Sequence, residues 1–183
     1  MAGNALNALT KFLHSLYDDD PKPPLHVGEV MVCWTYLNAL EEAVALEHVG
    51  LNTTVDKELI NILNNTIDAA NSQAEKLRSF LQQEGVPFPS NSAEKPKSDP
   101  QSVPMGVKMT DSEIANAVSL KIAASITLCA SGISQSLRGD VGLMFVEFQS
   151  EAIRDGEILK ATMKKRGWIK TPPFYTPPGT NAE

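Results

Sequence analysis

MTDSEIANAVSLKIAASITLCASGISQSLRGDVGLMFVEFQSEAIRDGEILKATMKKRGWIKT, residues 109–171, contains no proline. Proline is the strongest helix breaker, so its absence from so long a run predicts helix. The stretch opens on Thr110-Asp111-Ser112-Glu113, a capping box in which Glu113 reaches back to the Thr110 amide. Gly139 sits near its middle and Gly167 near its end, where helix C-termini favour glycine. Beyond Gly139, the residues Val141, Phe145, Phe148, Ala152, Gly156, Leu159 and Met163 recur at helical spacing. Two helices follow, near 111–137 and 140–166.

The preceding block repeats the plan. Residues 25–86 are also free of proline, with Gly50 marking the middle and Gly85 the end. Val30, Leu37, Val44 and Leu51 recur every seven residues, flanked by Cys33, Trp34 and Leu40. After Asn52-Thr53-Thr54, a second stripe runs through Leu59, Ile62, Leu63, Thr66, Ala70, Leu77, Phe80 and Leu81. These predict helices near 27–50 and 56–84. A faint repeat relates the blocks: Glu75-Lys76-Leu77-Arg78 before Gly85, and Glu157-Ile158-Leu159-Lys160 before Gly167.

All 12 prolines fall into three clusters, Pro21 to Pro24, Pro87 to Pro104 and Pro172 to Pro178. No sustained period-two alternation and no Asn-Gly or Asp-Gly turn argues for strands. The chain therefore reads as all-α, an antiparallel four-helix bundle of two helical hairpins with a long crossover at 87–109. Residues 1–24 form an N-terminal arm, 25–171 the bundle, and 172–183 a proline-rich C-terminal tail. Leu6, Leu9, Leu13 and Leu16 give the arm an apolar stripe to dock on the bundle or on a partner chain. The tail is expected to lie over its own bundle.

The chain has 183 residues, 42% of them hydrophobic, and can bury roughly 70% of its unfolded surface without a disulfide or metal. Its net charge of −6 excludes a protein that tracks nucleic-acid phosphates through a basic stripe. Cys33 and Cys129, in apolar surroundings, read as buried free thiols of a reducing, cytoplasmic compartment. The N-terminus lacks the basic-then-apolar pattern of a signal peptide.

The stretches EGVPFP (84–89), EKPKSDP (94–100), GVKMTDSEIAN (106–116), RGDVGLMFVEFQ (138–149) and KKRGWIKTPP (164–173) resemble a ferritin-like family of spore-forming bacteria. Its members are uncharacterised and described as similar to spore coat proteins, and several carry the domain twice. The resemblance covers residues 25–178. It implies a ferritin-like bundle, a link to sporulation and spore coat proteins as partners, but no reaction.

A ferritin-like fold invites a di-metal carboxylate centre, which needs a Glu on each of two helices and a Glu-x-x-His on each of the others. The 3 histidines are His14, His26 and His48, none in the second or fourth helix, and no Glu-x-x-His occurs. The usual centre cannot be assembled. Candidate metal ligands reduce to His26, Glu29 and His48. Glu41 and His48 flank one stripe, but their separation of about 10.5 Å along the axis is too great to share an ion. His26, Glu29, Glu41 and His48 are thus not expected to coordinate a metal jointly. Glu42, Glu47 and the outer charges of the first helix read as a solvated face. Glu151 and Asp155, one turn apart beside Arg154, read as helix-surface ion pairing rather than an acid–base pair. Lys121 is expected to snorkel to the bundle's edge rather than serve as a nucleophile. No phosphate loop, nucleophile elbow or zinc-spaced Cys/His set occurs.

The chain reads as a non-enzymatic structural or interaction protein, with no cofactor and no catalytic residue assigned. The alternative is a metal-dependent oxidoreductase or metal-storage protein with an atypical site. From Ile114 to Ser136 the third helix carries only one charge, Lys121, and many small residues. A bundle helix of a monomer keeps one polar face, so this helix is expected to form a homodimer interface, the rival being burial under the chain's own N-terminal arm or proline-rich tail. No membrane span is expected, because Lys121 interrupts the run and residues 122–133 are too short and hydroxyl-rich for one.

Overall fold

The computed structural model describes residues 22–88, 95–175 and 177–178, together with Asn7, Thr10, Lys11 and Ala93. The apolar stripe expected from Leu6, Leu9, Leu13 and Leu16 lies outside the described residues. Four long helices dominate: α1 (Val27–Leu51), α2 (Lys57–Gln83), α3 (Asp111–Gln135) and α4 (Gly139–Arg166). Among the described residues there is no strand.

Local chemistry sets the helix ends. Asp56 caps α2 by accepting the Glu58 and Leu59 amides, both at 3.0 Å. Thr110 and Glu113 form the expected capping box at the start of α3. Gly85 and Gly167 close α2 and α4 at φ 71°, a left-handed conformation that costs glycine nothing. Gly50 does not make a turn. It lies inside α1, where an added Cβ would come within 3.0 Å of Ile114 Cγ2. Its role is close helix packing.

In the bundle α1 packs on α2 and α3, while α4 packs on α3 and more loosely on α2. One core cluster joins Cys33, Tyr36 and Leu37 of α1 to Leu77 of α2, Cys129 of α3 and Phe145 of α4. The other joins Leu59 and Leu63 of α2 to Val118 of α3 and Leu159 of α4. Tyr36, Phe145 and Phe148 form a ring cluster with centroids 5.6 to 6.1 Å apart. Around the middle of the helices the polar residues Glu47, Thr66 and Gln73 are also buried.

The crossover is tied to the α1–α2 turn, since Asn52 donates to the Pro96 carbonyl and accepts the Ser98 amide. Two residues of the tail depart from expectation: Phe174 and Tyr175 are 93% and 82% exposed rather than laid over the bundle. Helix α3 is, among the described residues, the one helix long and apolar enough to cross a membrane.

Candidate functional site

Two of the ligand candidates, His26 and Glu29, are engaged in structural bonds. His26 is the N-cap of α1, its Nδ1 accepting the Gly28 amide at 3.0 Å. That assigns the ring hydrogen to Nε2, which donates to the Gln135 carbonyl at 3.2 Å. Glu29 is 1% exposed; its Oε2 accepts the His26 amide, and its Oε1 accepts the amides of Leu137 and Arg138. His26 and Glu29 do meet, with Nε2 and Oε2 3.6 Å apart. His48 does not join them, being roughly 33 Å further along the helix. Glu41 is drawn to α2 instead, where Arg78 Nη2 lies 2.5 Å from its Oε1. Among the described residues no group of three or more His, Cys, Asp or Glu side chains is placed to hold a metal ion.

Two sequence expectations fail at the bundle's centre. Glu47, read as part of a solvated face, is fully buried. Lys121, read as snorkelling outward, turns in and pairs with Glu47. The physical reason is mutual. A lone ammonium on an apolar helix needs a counterion, and a buried carboxylate needs a donor. Burial pushes the Glu47 carboxyl above its ordinary value, with Lys121 opposing.

Next to this pair runs a chain of hydrogen bonds. Tyr36 Oη donates to Gln73 Oε1 at 3.0 Å, and Gln73 Nε2 donates to Glu151 Oε2 at 2.6 Å. Asp155, one turn beyond Glu151, pairs with Arg154 at 3.2 Å, as expected of surface ion pairing, whereas Glu151 is bound to the α2 amide instead. Sequence reading missed Gln73, whose one signal was its place on the inner side of α2 near Ala70 and Leu77. Cys33 and Cys129 are free and fully buried, and burial pushes their thiols up to about 12 and about 11. Thiols so rarely ionised are inert as nucleophiles.

At one end of the bundle a charged network locks α4 in place. Arg138 is 4% exposed, stacks over Phe80, and pairs with Glu84 at 2.8 Å and Asp140 at 2.7 Å. Lys22 reaches Asp140 at 3.0 Å. The RGD stretch (138–140) that contributes to the resemblance is therefore structural in this chain. Its residues anchor the α3–α4 turn to α2 and to the segment before α1.

The comparisons with known proteins match this architecture. The chain is 28% identical over 152 residues to the uncharacterized protein YvdQ of Bacillus subtilis strain 168, covering 83% of this chain and 89% of YvdQ. The crystal structure of a Bacillus halodurans C-125 protein named "putative spore coat protein" superposes with a TM-score of 0.82 at 30% identity. That alignment covers 84% of this chain and 97% of the other. A DUF305 fragment from Deinococcus radiodurans shares the fold alone, with a TM-score of 0.64 at 10% identity over 78% of this chain and 99% of its own. Residues 16–180 match the family described as "Protein of unknown function (DUF3231)", and the chain belongs to that family.

Proposed function

We propose that this chain is a non-enzymatic structural or interaction protein of the spore coat, built as a ferritin-like antiparallel bundle, and that it forms a homodimer through α3. Support for the antiparallel reading comes from which helix halves meet. The first half of α1 shares a core with the second half of α2, the end of α3 and the start of α4. The relationship to the Bacillus halodurans protein supports the coat assignment.

The outer face of α3 carries the reading. Leu120 is 74% exposed, and Ala123, Ala124, Thr127 and Ala130 stand exposed along the same helix. Lys121, the one charge between Glu113 and Arg138, is spent inward on Glu47, so the outer face carries none. An uncharged face of small side chains lets a second helix approach closely. Ser119, Thr127 and Ser134 favour a partly polar protein surface over lipid as its cover.

Light scattering of the full chain at micromolar concentration, without detergent, tests the pairing. We expect a particle of twice 19.8 kDa, reduced to one chain by Ala124→Glu. A monomeric wild type, or a chain recovered only in detergent, overturns it. Fractionation of spores with an antibody to the chain tests the coat assignment, which fails if the protein is absent from coat extracts.

A further inference from the structure

Helices α3 and α4 leave between them an open groove of about 530 Å3. Ile122 and Ile126 of α3 and Ile153 and Met163 of α4 line it, with Ile169 and Lys170 from the start of the tail. Ile153 is 48% exposed, so apolar surface in this groove faces water in a single chain.

The C-terminal tail leaves from the same groove, and its exit is fixed. Gly167 turns the chain at φ 71°, and the Trp168 amide donates to the Met163 carbonyl at 2.9 Å. Asn116 of α3 donates to the Trp168 carbonyl at 3.1 Å. Beyond Lys170 come Thr171, Pro172 and Pro173, all exposed. Each proline fixes φ at about −65° and biases the residue before it toward extended backbone. The stretch is a stiff spacer that does not double back into the groove beside it. Phe174 and Tyr175, about 12 and 16 Å of extended chain past Lys170, are 93% and 82% exposed.

One chain thus carries an unfilled apolar groove and two unburied aromatic side chains that do not meet. A second copy supplies what each lacks. We infer that two copies exchange their tails, each placing Phe174 and Tyr175 in the α3–α4 groove of the other. Phe174 fills the apolar floor between Ile126 and Ile153, and the Tyr175 hydroxyl stays at the rim beside Glu157. Reciprocal exchange closes by two-fold symmetry, so it ends at a dimer. It rests on the pairing of two chains proposed above and continues its contact, because Ala123 lines the groove and also stands on the exposed face of α3.

Two measurements on the full chain test the exchange. In light scattering over a dilution series, Phe174→Ser with Tyr175→Ser, at exposed positions that do not support the bundle, should raise the dimer Kd at least about tenfold. Mixing Tyr175→Cys chains with separately made Ile153→Cys chains under mild oxidation should give a 175–153 disulfide, found by mass spectrometry. Cys33 and Cys129 are fully buried and stay out of the reaction. Glu75→Cys, at an exposed position of α2, replaces Ile153→Cys as the control for random collision. The exchange is overturned if the double serine variant dimerises as the wild type does, or if the 175–153 link forms no faster than 175–75. It is also overturned if a chain carrying both Tyr175→Cys and Ile153→Cys closes only on itself, since the tail then covers its own groove. Ala124→Glu separates the two contacts. A dimer that survives Ala124→Glu but not the serine variant refutes the α3 face alone, the reverse refutes the exchange alone, and a monomeric wild type refutes both.

Discussion

The carboxylate of Glu29, in the first turn of α1, accepts the backbone amide of Arg138, the N-cap residue of α4, at 2.7 Å. The same oxygen accepts the Leu137 amide at 2.8 Å, and the other oxygen accepts the amide of His26. One buried side chain thus closes the capping box of its own helix and holds the two residues that lead into α4, whose N-cap Arg138 makes no side-chain cap. Glu29→Ala leaves three amides without their acceptor. It should cost about 2–4 kcal/mol, because unsatisfied buried donors are penalised more than an ordinary hydrogen bond is worth. Urea denaturation followed by circular dichroism checks this. A loss below about 1 kcal/mol would show that water replaces the carboxylate.

The Glu47–Lys121 pair predicts non-additive mutants. Lys121→Met leaves Glu47 buried with no cation and should cost about 3–5 kcal/mol, while Glu47→Leu with Lys121→Met should recover most of that loss. The pH dependence of the single variant has a definite sign. Burial already lifts the carboxyl above 4.5, and removing Lys121 lifts it further. The folded state then holds a proton that the unfolded chain releases, so stability falls as pH rises above the ordinary carboxylate value. Additive losses in a double-mutant cycle would refute the coupling.

The helix bounds were legible because proline, capping boxes and terminal glycines act within a few residues of themselves. All eight ends lie within two residues of their expected positions. The centre was harder to read. Of Val30, Leu37, Val44 and Leu51, the most regular line of α1, only Leu37 is fully buried, while Val30, Val44 and Leu51 are half-buried. The deeper line is Cys33, Leu40 and Glu47, also spaced by seven, and the charge of its last member makes it read as surface. The isolated charge of Lys121 was the available clue, but only tertiary packing could show which acid answered it.

Gly132 of α3 packs directly against Phe145 of α4. A Cβ there would lie 2.7 Å from the ring of Phe145, a fully buried side chain held among Tyr36 and Phe148. The ring has nowhere to move. Gly132→Ala should therefore destabilise by about 1–3 kcal/mol, although alanine is the better helix former. Gly156→Ala is the contrasting case, since its nearest neighbour, Ile122 Cγ2, stands at 3.2 Å. It should change stability by less, and equal losses in thermal melts would count against ring overpacking as the cause.

Asp140 should govern the acid limb of stability. Partial burial opposes its ionisation, but hydrogen bonds from Arg138 and Lys22 outweigh that and hold its carboxyl at about 2, below the ordinary 3.8. Its place in the first turn of α4 adds the favourable end of the helix dipole. Because the folded-state value is depressed, the unfolded chain takes up the proton first. The contribution is complete above about pH 4 and is lost as pH falls toward 2. Asp140→Asn should lower stability at neutral pH and flatten the profile between pH 4 and 2. Lys22→Ala, which removes the more exposed of the two cations, should do less. Urea midpoints measured across this range decide the matter. If the wild type and Asp140→Asn lose stability in parallel below pH 4, the acid limb belongs to other carboxylates.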